Sequence, residues 1–180
     1  MRIISGFSKG RRLFAPSGLA LRPTPGKVRS ALFNVLANQI LEASFLDLYA
    51  GTGAVGLEAL SRGALHTTFV EQSPRHLQYL RKNITACLLE EQSTVRGIDA
   101  EDFLKTLPCP FDLVFLDPPY KGEALEKILP RLEQGDIIAD AGRLIIEHFH
   151  KRVLPETIGN IHFLKQYRYG ETLLSFYGTH

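Results

Sequence analysis

Asp117-Pro118-Pro119-Tyr120 concentrates groups that can do chemistry: a carboxylate, a rigid turn and an aromatic ring in four consecutive positions. They follow the apolar run Phe111-Asp112-Leu113-Val114-Phe115-Leu116, which reads as a buried strand. Two prolines end that strand, because neither can donate to a sheet ladder. In an open α/β sheet, ligands bind at the carboxyl ends of strands. The Asp117 side chain and the Pro118 carbonyl are two acceptors that can hold both hydrogens of an exocyclic base amine. Tyr120 offers a face on which a flipped-out base can stack. The plainer alternative is a turn-forming Asp beside a core Tyr, and both halves of it must hold at once.

A second constellation is Asp47-Leu48-Tyr49-Ala50-Gly51-Thr52-Gly53-Ala54-Val55-Gly56. Gly51, Gly53 and Gly56 fit the glycine spacing that lets a ligand approach backbone at a helix N-terminus. Glu71 lies twenty residues after Gly51, at the end of the next predicted strand, where an acid accepts ribose hydroxyls. Asp99 ends the third strand, where it either accepts from an adenine amino group or caps a helix. This set suits a nicotinamide cofactor or S-adenosylmethionine. Asp47, two residues before Tyr49, favours the second, because a carboxylate suits a cationic amino group and repels a pyrophosphate.

Strand–helix alternation from residue 44 onward must position these groups. Apolar runs predict strands at residues 45–49, 67–71, 93–98, 111–116 and 143–147, separated by helices at 54–62, 74–89, 99–107 and 124–132. Segments 161–169 and 172–177 are close enough to pair as an antiparallel hairpin. The expected fold is α/β: a doubly wound, mostly parallel, seven-stranded Rossmann-like sheet. Thr24 and Pro25 read as an N-cap and first helical residue of a helix running to about residue 38, with Val28, Leu32, Val35 and Leu36 inward and Lys27 and Arg29 outward.

Before that helix, residues 2–5 and 11–15 read as a small hairpin around Gly6-Phe7-Ser8-Lys9-Gly10. Up to Leu41 the chain carries seven cations and no Asp or Glu, although its net charge is only +2. A basic, partly ordered surface on a near-neutral domain is the footprint of a polyanion partner. The division expected is a basic extension over residues 1–24 and a catalytic domain over 25–180. Arg2, Lys9, Arg11, Arg12, Arg22 and Arg29 are the candidate RNA contacts. Cys87 and Cys109 match no metal spacing and read as buried, reduced thiols of a cytoplasmic protein. No run is long enough to span a bilayer, no signal peptide opens the chain, and none of the six histidines falls in a motif.

Asp-Pro-Pro-Tyr after an apolar strand, following Asp-Leu-Tyr-Ala-Gly-Thr-Gly, resembles the amino methyltransferases of nucleic-acid bases. Met1-Arg2-Ile3-Ile4-Ser5-Gly6, Lys9-Gly10-Arg11-Arg12-Leu13, Arg22-Pro23-Thr24, Ala31-Leu32-Phe33-Asn34 and Gly56-Leu57-Glu58-Ala59-Leu60-Ser61-Arg62-Gly63-Ala64 are similar to the RsmD family. Gly26 and Ser30 stand where that pattern carries an Asp and a Glu. The resemblance implies methylation of the N2 amine of a guanine in small-subunit (16S) ribosomal RNA by S-adenosylmethionine, without a metal, on a substrate already assembled with ribosomal proteins. In that reading Asp117, Pro118 and Tyr120 are catalytic. Asp47, Tyr49, Gly51, Gly53, Glu71 and Asp99 hold the cofactor, and the protein acts as a monomer. Competing readings are a DNA adenine-N6 methyltransferase, an RNA-binding module on an inactive Rossmann domain and, more distantly, a nicotinamide dehydrogenase.

Overall fold

Apolar strands alternating with amphipathic helices have one stable arrangement, a sheet with a helical layer on each face. The computed structural model describes residues 1–16, 25–106, 109–119, 123–134 and 137–179. Its elements are α1 (Gly26–Leu36), β1 (Ser44–Leu48), α2 (Ala54–Ser61), β2 (His66–Val70), α3 (Pro74–Cys87), β3 (Ser93–Arg96), α4 (Ala100–Lys105), β4 (Phe111–Leu116), α5 (Ala124–Gln134), β5 (Ile138–Phe149), β6 (Thr157–Ile158), β7 (Ile161–Tyr169) and β8 (Thr172–Gly178). The strands form one sheet in the order β3-β2-β1-β4-β5-β8-β7-β6. The first four pairings along that order are parallel and the rest antiparallel.

Successive strand residues point to opposite faces, and the core divides accordingly. Phe45, Leu113, Phe115, Ile145, Leu174 and Phe176 face α1, α2 and α3. Leu46, Leu48, Val114, Leu116, Leu144 and Ile146 face α4 and α5. In the C-terminal pair, every residue of Thr172–Gly178 is buried whereas Ile161–Tyr169 is mostly exposed. β8 therefore inserts beside β5, and β7 is pushed outward.

The register aligns the carboxyl edge. Arg96 pairs with Val70, Val70 with Leu48, Leu48 with Leu116 and Leu116 with Ile146. One row thus crosses β3, β2, β1, β4 and β5, and the residues just beyond it emerge together. Strand order reverses at the β1/β4 junction, since the chain leaves β1 toward β2 and returns at β4. That reversal opens the crevice in which α/β sheets bind ligands.

Four expectations are corrected. The sheet has eight strands, because the two-residue β6 pairs with the start of β7. The N-terminal hairpin is reduced to a single bridge, Arg2 to Arg12, since Ile4 and Ser5 turn their N–H groups to the Glu58 side chain instead of across a ladder. The first helix begins at Gly26 with Pro25 as its cap residue, and it ends at Leu36, where Ala37 takes φ 46° and a short 3-10 turn follows. Thr24 lies outside the described residues. Of the two free cysteines, Cys87 is buried but Cys109 is exposed.

Candidate functional site

Asp47 is the buried acid of the crevice. It precedes the last residue of β1, and its Oδ2 accepts the Gly56 N–H at 2.9 Å. At 2% exposure its charged form is poorly solvated. Burial pushes its carboxyl up to about 8, with smaller contributions from the Asp117 and Glu71 charges and an opposing one from the Gly56 hydrogen bond. The native state therefore keeps a proton that the unfolded chain releases near pH 4. Stability from this group is full below that pH, falls as pH rises, and is lost by about pH 8. We expect Asp47→Asn to remove up to about 1.4 kcal/mol per pH unit of that fall, so urea denaturation of the variant should show a flatter stability profile between pH 5 and 7.5. A cationic ligand group beside Asp47 reverses the balance and releases its proton.

Glu71 emerges one residue beyond β2. Its Oε2 accepts the Gly51 N–H at 2.8 Å and its Oε1 accepts the Ser73 N–H at 2.7 Å. Oε1 also faces His76 Nδ1 at 3.5 Å, whereas Oε2 retains a second lone pair, so the acid is oriented by the glycine loop and can still accept from a ligand hydroxyl. The loop needs its glycines for two different reasons. Gly51 and Gly53 adopt φ of 56° and 82°, a region L-residues with side chains avoid. At Gly53 a Cβ would also lie 2.4 Å from Leu80 Cδ1. Gly56 serves packing instead. A Cβ there would meet the Phe69 ring at 2.3 Å, so its absence lets α2 approach β2.

Tyr49 follows β1 with φ 66°, a strained conformation for an aromatic residue. Burial pushes its phenol up to about 12, with Asp99 and Glu101 adding to the effect. The ring thus lies between β1 and the start of α4. Asp99 caps that helix, its Oδ1 accepting the Glu101 N–H at 2.8 Å.

Across the crevice, Asp117 is the first residue beyond β4. It is half-buried, with Pro118 buried and Pro119 exposed. Its charge contributes to holding the Asp47 proton, so the two acids from adjacent strands share one site. Tyr120 lies outside the described residues. Glu147, directly after Ile146 on β5, brings another buried carboxylate to this edge, a residue that sequence reading passed over. Among the described residues no group of His, Cys, Asp and Glu could hold a metal ion, and no helix is long and apolar enough to cross a membrane.

The N-terminal cations separate into distinct roles. Arg2, Lys9, Arg11 and Arg12 are exposed. Arg11 also donates to the Ala86 carbonyl at 2.7 Å, satisfying the last turn of α3. Arg22 lies outside the described residues. Arg29 corrects the expectation of an outward cation. It is 1% exposed, donates to the Arg2 carbonyl at 2.6 Å and faces Glu58 at 3.5 Å. Burial pulls its guanidinium below the usual range, Glu58 opposing and Arg62 adding. It anchors the arm and cannot grip a partner. Asn83, Glu58 and Ser61 share that anchoring and were also missed. For Asn83 the signal was present: a polar residue inside the buried stripe Leu80, Ile84 and Cys87 of α3.

The donor set fits a nucleoside carrying a cationic tail: an acid at a strand end, a glycine cradle and a buried proton-holding Asp. Residues 1–178 match the family described as conserved hypothetical protein 95. The ribosomal RNA small subunit methyltransferase D of Escherichia coli K12 is 39% identical over 160 residues, covering 89% of this chain and 80% of that protein. A structure of a hypothetical protein from Thermus thermophilus is 30% identical with a TM-score of 0.84, covering 98% of both chains. TrmN from the same organism, at 20% identity and TM-score 0.71, covers 89% of this chain and 51% of its own and shares the fold alone. With nearly its whole length matched, and the crevice acids aligned on one edge, the chain belongs to the RsmD family.

Proposed function

We propose that this protein transfers a methyl group from S-adenosylmethionine to the N2 amine of a guanine in 16S rRNA, acting in the cytoplasm as a monomer on the small ribosomal subunit or its assembly intermediate. Its family membership makes it an rRNA methyltransferase. The observation that supports transfer to an amine is the placement of Asp117 one residue beyond the register row, across the switch-point crevice from Asp47 and the glycine loop, and the choice of guanine N2 rests on the family resemblance. Residues 1–24 form the RNA-gripping extension in this reading, and 25–180 the catalytic domain.

S-adenosylmethionine supplies an electrophilic methyl carbon on a sulfonium sulfur. Asp47 faces its ammonium, Glu71 its ribose hydroxyls, Asp99 and Tyr49 its adenine, and Gly51 and Gly53 leave room for it. Asp117 and the Pro118 carbonyl each accept one N–H of the guanine amine. This fixes the nitrogen and keeps its lone pair from spreading into the ring, so positioning is the main catalytic contribution. The carboxylate also stabilises positive charge developing on the nitrogen, and the surplus proton leaves to water afterwards. Tyr120 stacks the base.

The decisive experiment incubates the protein with isotopically labelled S-adenosylmethionine and small ribosomal subunits, then digests the RNA and identifies the labelled nucleoside. N2-methylguanosine is expected; label in methyladenine, in added DNA or nowhere overturns the proposal. For the extension, Lys9→Ala with Arg12→Ala should lower the slope of log affinity against log salt by about 2. An unchanged slope takes the arm out of the RNA interface.

A further inference from the structure

We propose that Asn83 is a positioning residue that couples RNA on the N-terminal arm to cofactor affinity in the glycine loop. Asn83 lies on α3, is fully buried, and belongs to neither the cofactor-binding nor the base-holding set. Its side-chain amide offers two donors and a two-lone-pair acceptor. The Oδ1 accepts the Phe14 N–H at 2.7 Å. The Nδ2 donates to the Phe14 carbonyl at 2.9 Å and to the Thr52 carbonyl at 2.9 Å. One amide thus pairs with both backbone groups of an arm residue, as a β-strand would, and with the residue between Gly51 and Gly53.

That third bond matters because the loop is loose by composition. Gly51 and Gly53 both sit at positive φ, where glycine is free to adopt many alternatives. Thr52 itself is buried, so its carbonyl depends on a protein partner rather than water. Asn83 makes all three of these bonds only when arm and loop are both in place. Withdrawing residue 14 leaves a buried amide short of partners, and the amide is then free to rotate away from Thr52. Arm docking and loop order therefore reinforce each other. Exposed Arg2 and Arg12, joined by a β-bridge, lie in the same arm whose Phe14 is held by Asn83. RNA that grips the docked arm favours the ordered loop, and by reciprocity the occupied loop favours RNA by the same factor.

This inference rests on the RNA-methyltransferase reading, and its test separates the two. S-adenosylhomocysteine, which cannot turn over, is titrated calorimetrically into the full-length protein with and without saturating small ribosomal subunits. Wild type should bind it about tenfold tighter with subunits present. Asn83→Ala should lose that gain and bind more weakly without subunits. Phe14→Pro removes the N–H while leaving the Thr52 bond inside the domain, and it should also lose the gain. Phe14→Ala, which keeps the N–H and discards only the ring over Lys82, should retain it. Should Asn83→Ala fail to fold, the Phe14 pair decides. A gain that survives in Phe14→Pro, or is missing in wild type although the subunits bind, overturns the coupling and leaves the methyltransferase reading intact. Subunits that do not bind at all overturn both.

Discussion

Replacing Asp117 with alanine is expected to lower methyl transfer to ribosomal RNA by about a thousandfold, the effect of deleting one well-placed electrostatic contact at a reacting centre. The side chain stands one residue past β4, half-buried, so its removal leaves the sheet intact. S-adenosylhomocysteine should bind with nearly unchanged affinity, because the proposed role of Asp117 is to hold the base and not the cofactor. A second readout ties the variant to this geometry. The Asp117 charge helps to hold the proton on Asp47, so Asp117→Ala should shift Asp47 titration to lower pH and reduce the proton release that accompanies ligand binding. Turnover within tenfold of wild type would end the assignment of Asp117 as the amine-holding residue.

Glu58→Ala should produce the largest loss of stability. The Glu58 carboxylate is wholly buried on α2. It accepts the Ile4 and Ser5 N–H groups at 2.8 and 2.9 Å, pairs with Arg62 at 2.8 Å and faces Arg29 at 3.5 Å. Its removal strands the buried Arg29 charge and two backbone donors, a change that costs about 3–5 kcal/mol. Urea denaturation should give a lower midpoint and, as the arm is released, a shallower slope. The arm should also become a protease-sensitive site, since Ile3 and Leu13 would leave the core they share with α1 and α2. A loss below about 1 kcal/mol, the range of an exposed ion pair, would refute the anchoring role.

Why such a charged junction exists follows from helix direction. Arg29 meets Glu58, and Phe33 meets Arg62 at 5.0 Å, so α1 and α2 run side by side in the same sense. α2 starts at the carboxyl edge of β1, so α1 starts there too, and its first turn lies toward the crevice.

The β4 strand was legible to the residue, because a six-residue apolar run stopped by two prolines has one reading. The acids at strand ends were legible for the same reason. Period-two alternation and a stop signal are local properties, and a parallel sheet brings all carboxyl ends to one edge. The family motifs carried the reaction class. The short β6 was not legible, since two residues have no period, and the bounds of α1 shifted because its start falls beside Pro25.

The sequence alone determined the α/β class and the placement of Asp47, Glu71 and Asp117 at strand ends, whereas the strand order that opens a crevice between them belongs to the tertiary structure. Only the tertiary structure decided which of its polar groups are already committed to holding the molecule together. Arg29 has the composition of an RNA contact, but burial against Glu58 makes it an anchor. Gly56 has the spacing of a ligand-binding glycine and serves helix–strand packing. Asn83 interrupts an apolar stripe, and its three partners come from the arm and from the loop after β1. The reason is common to all three. Residue type and spacing specify what a group can do, whereas partners on other elements, Glu58 for Arg29, Phe69 for Gly56 and Phe14 for Asn83, decide which of its capacities is already used.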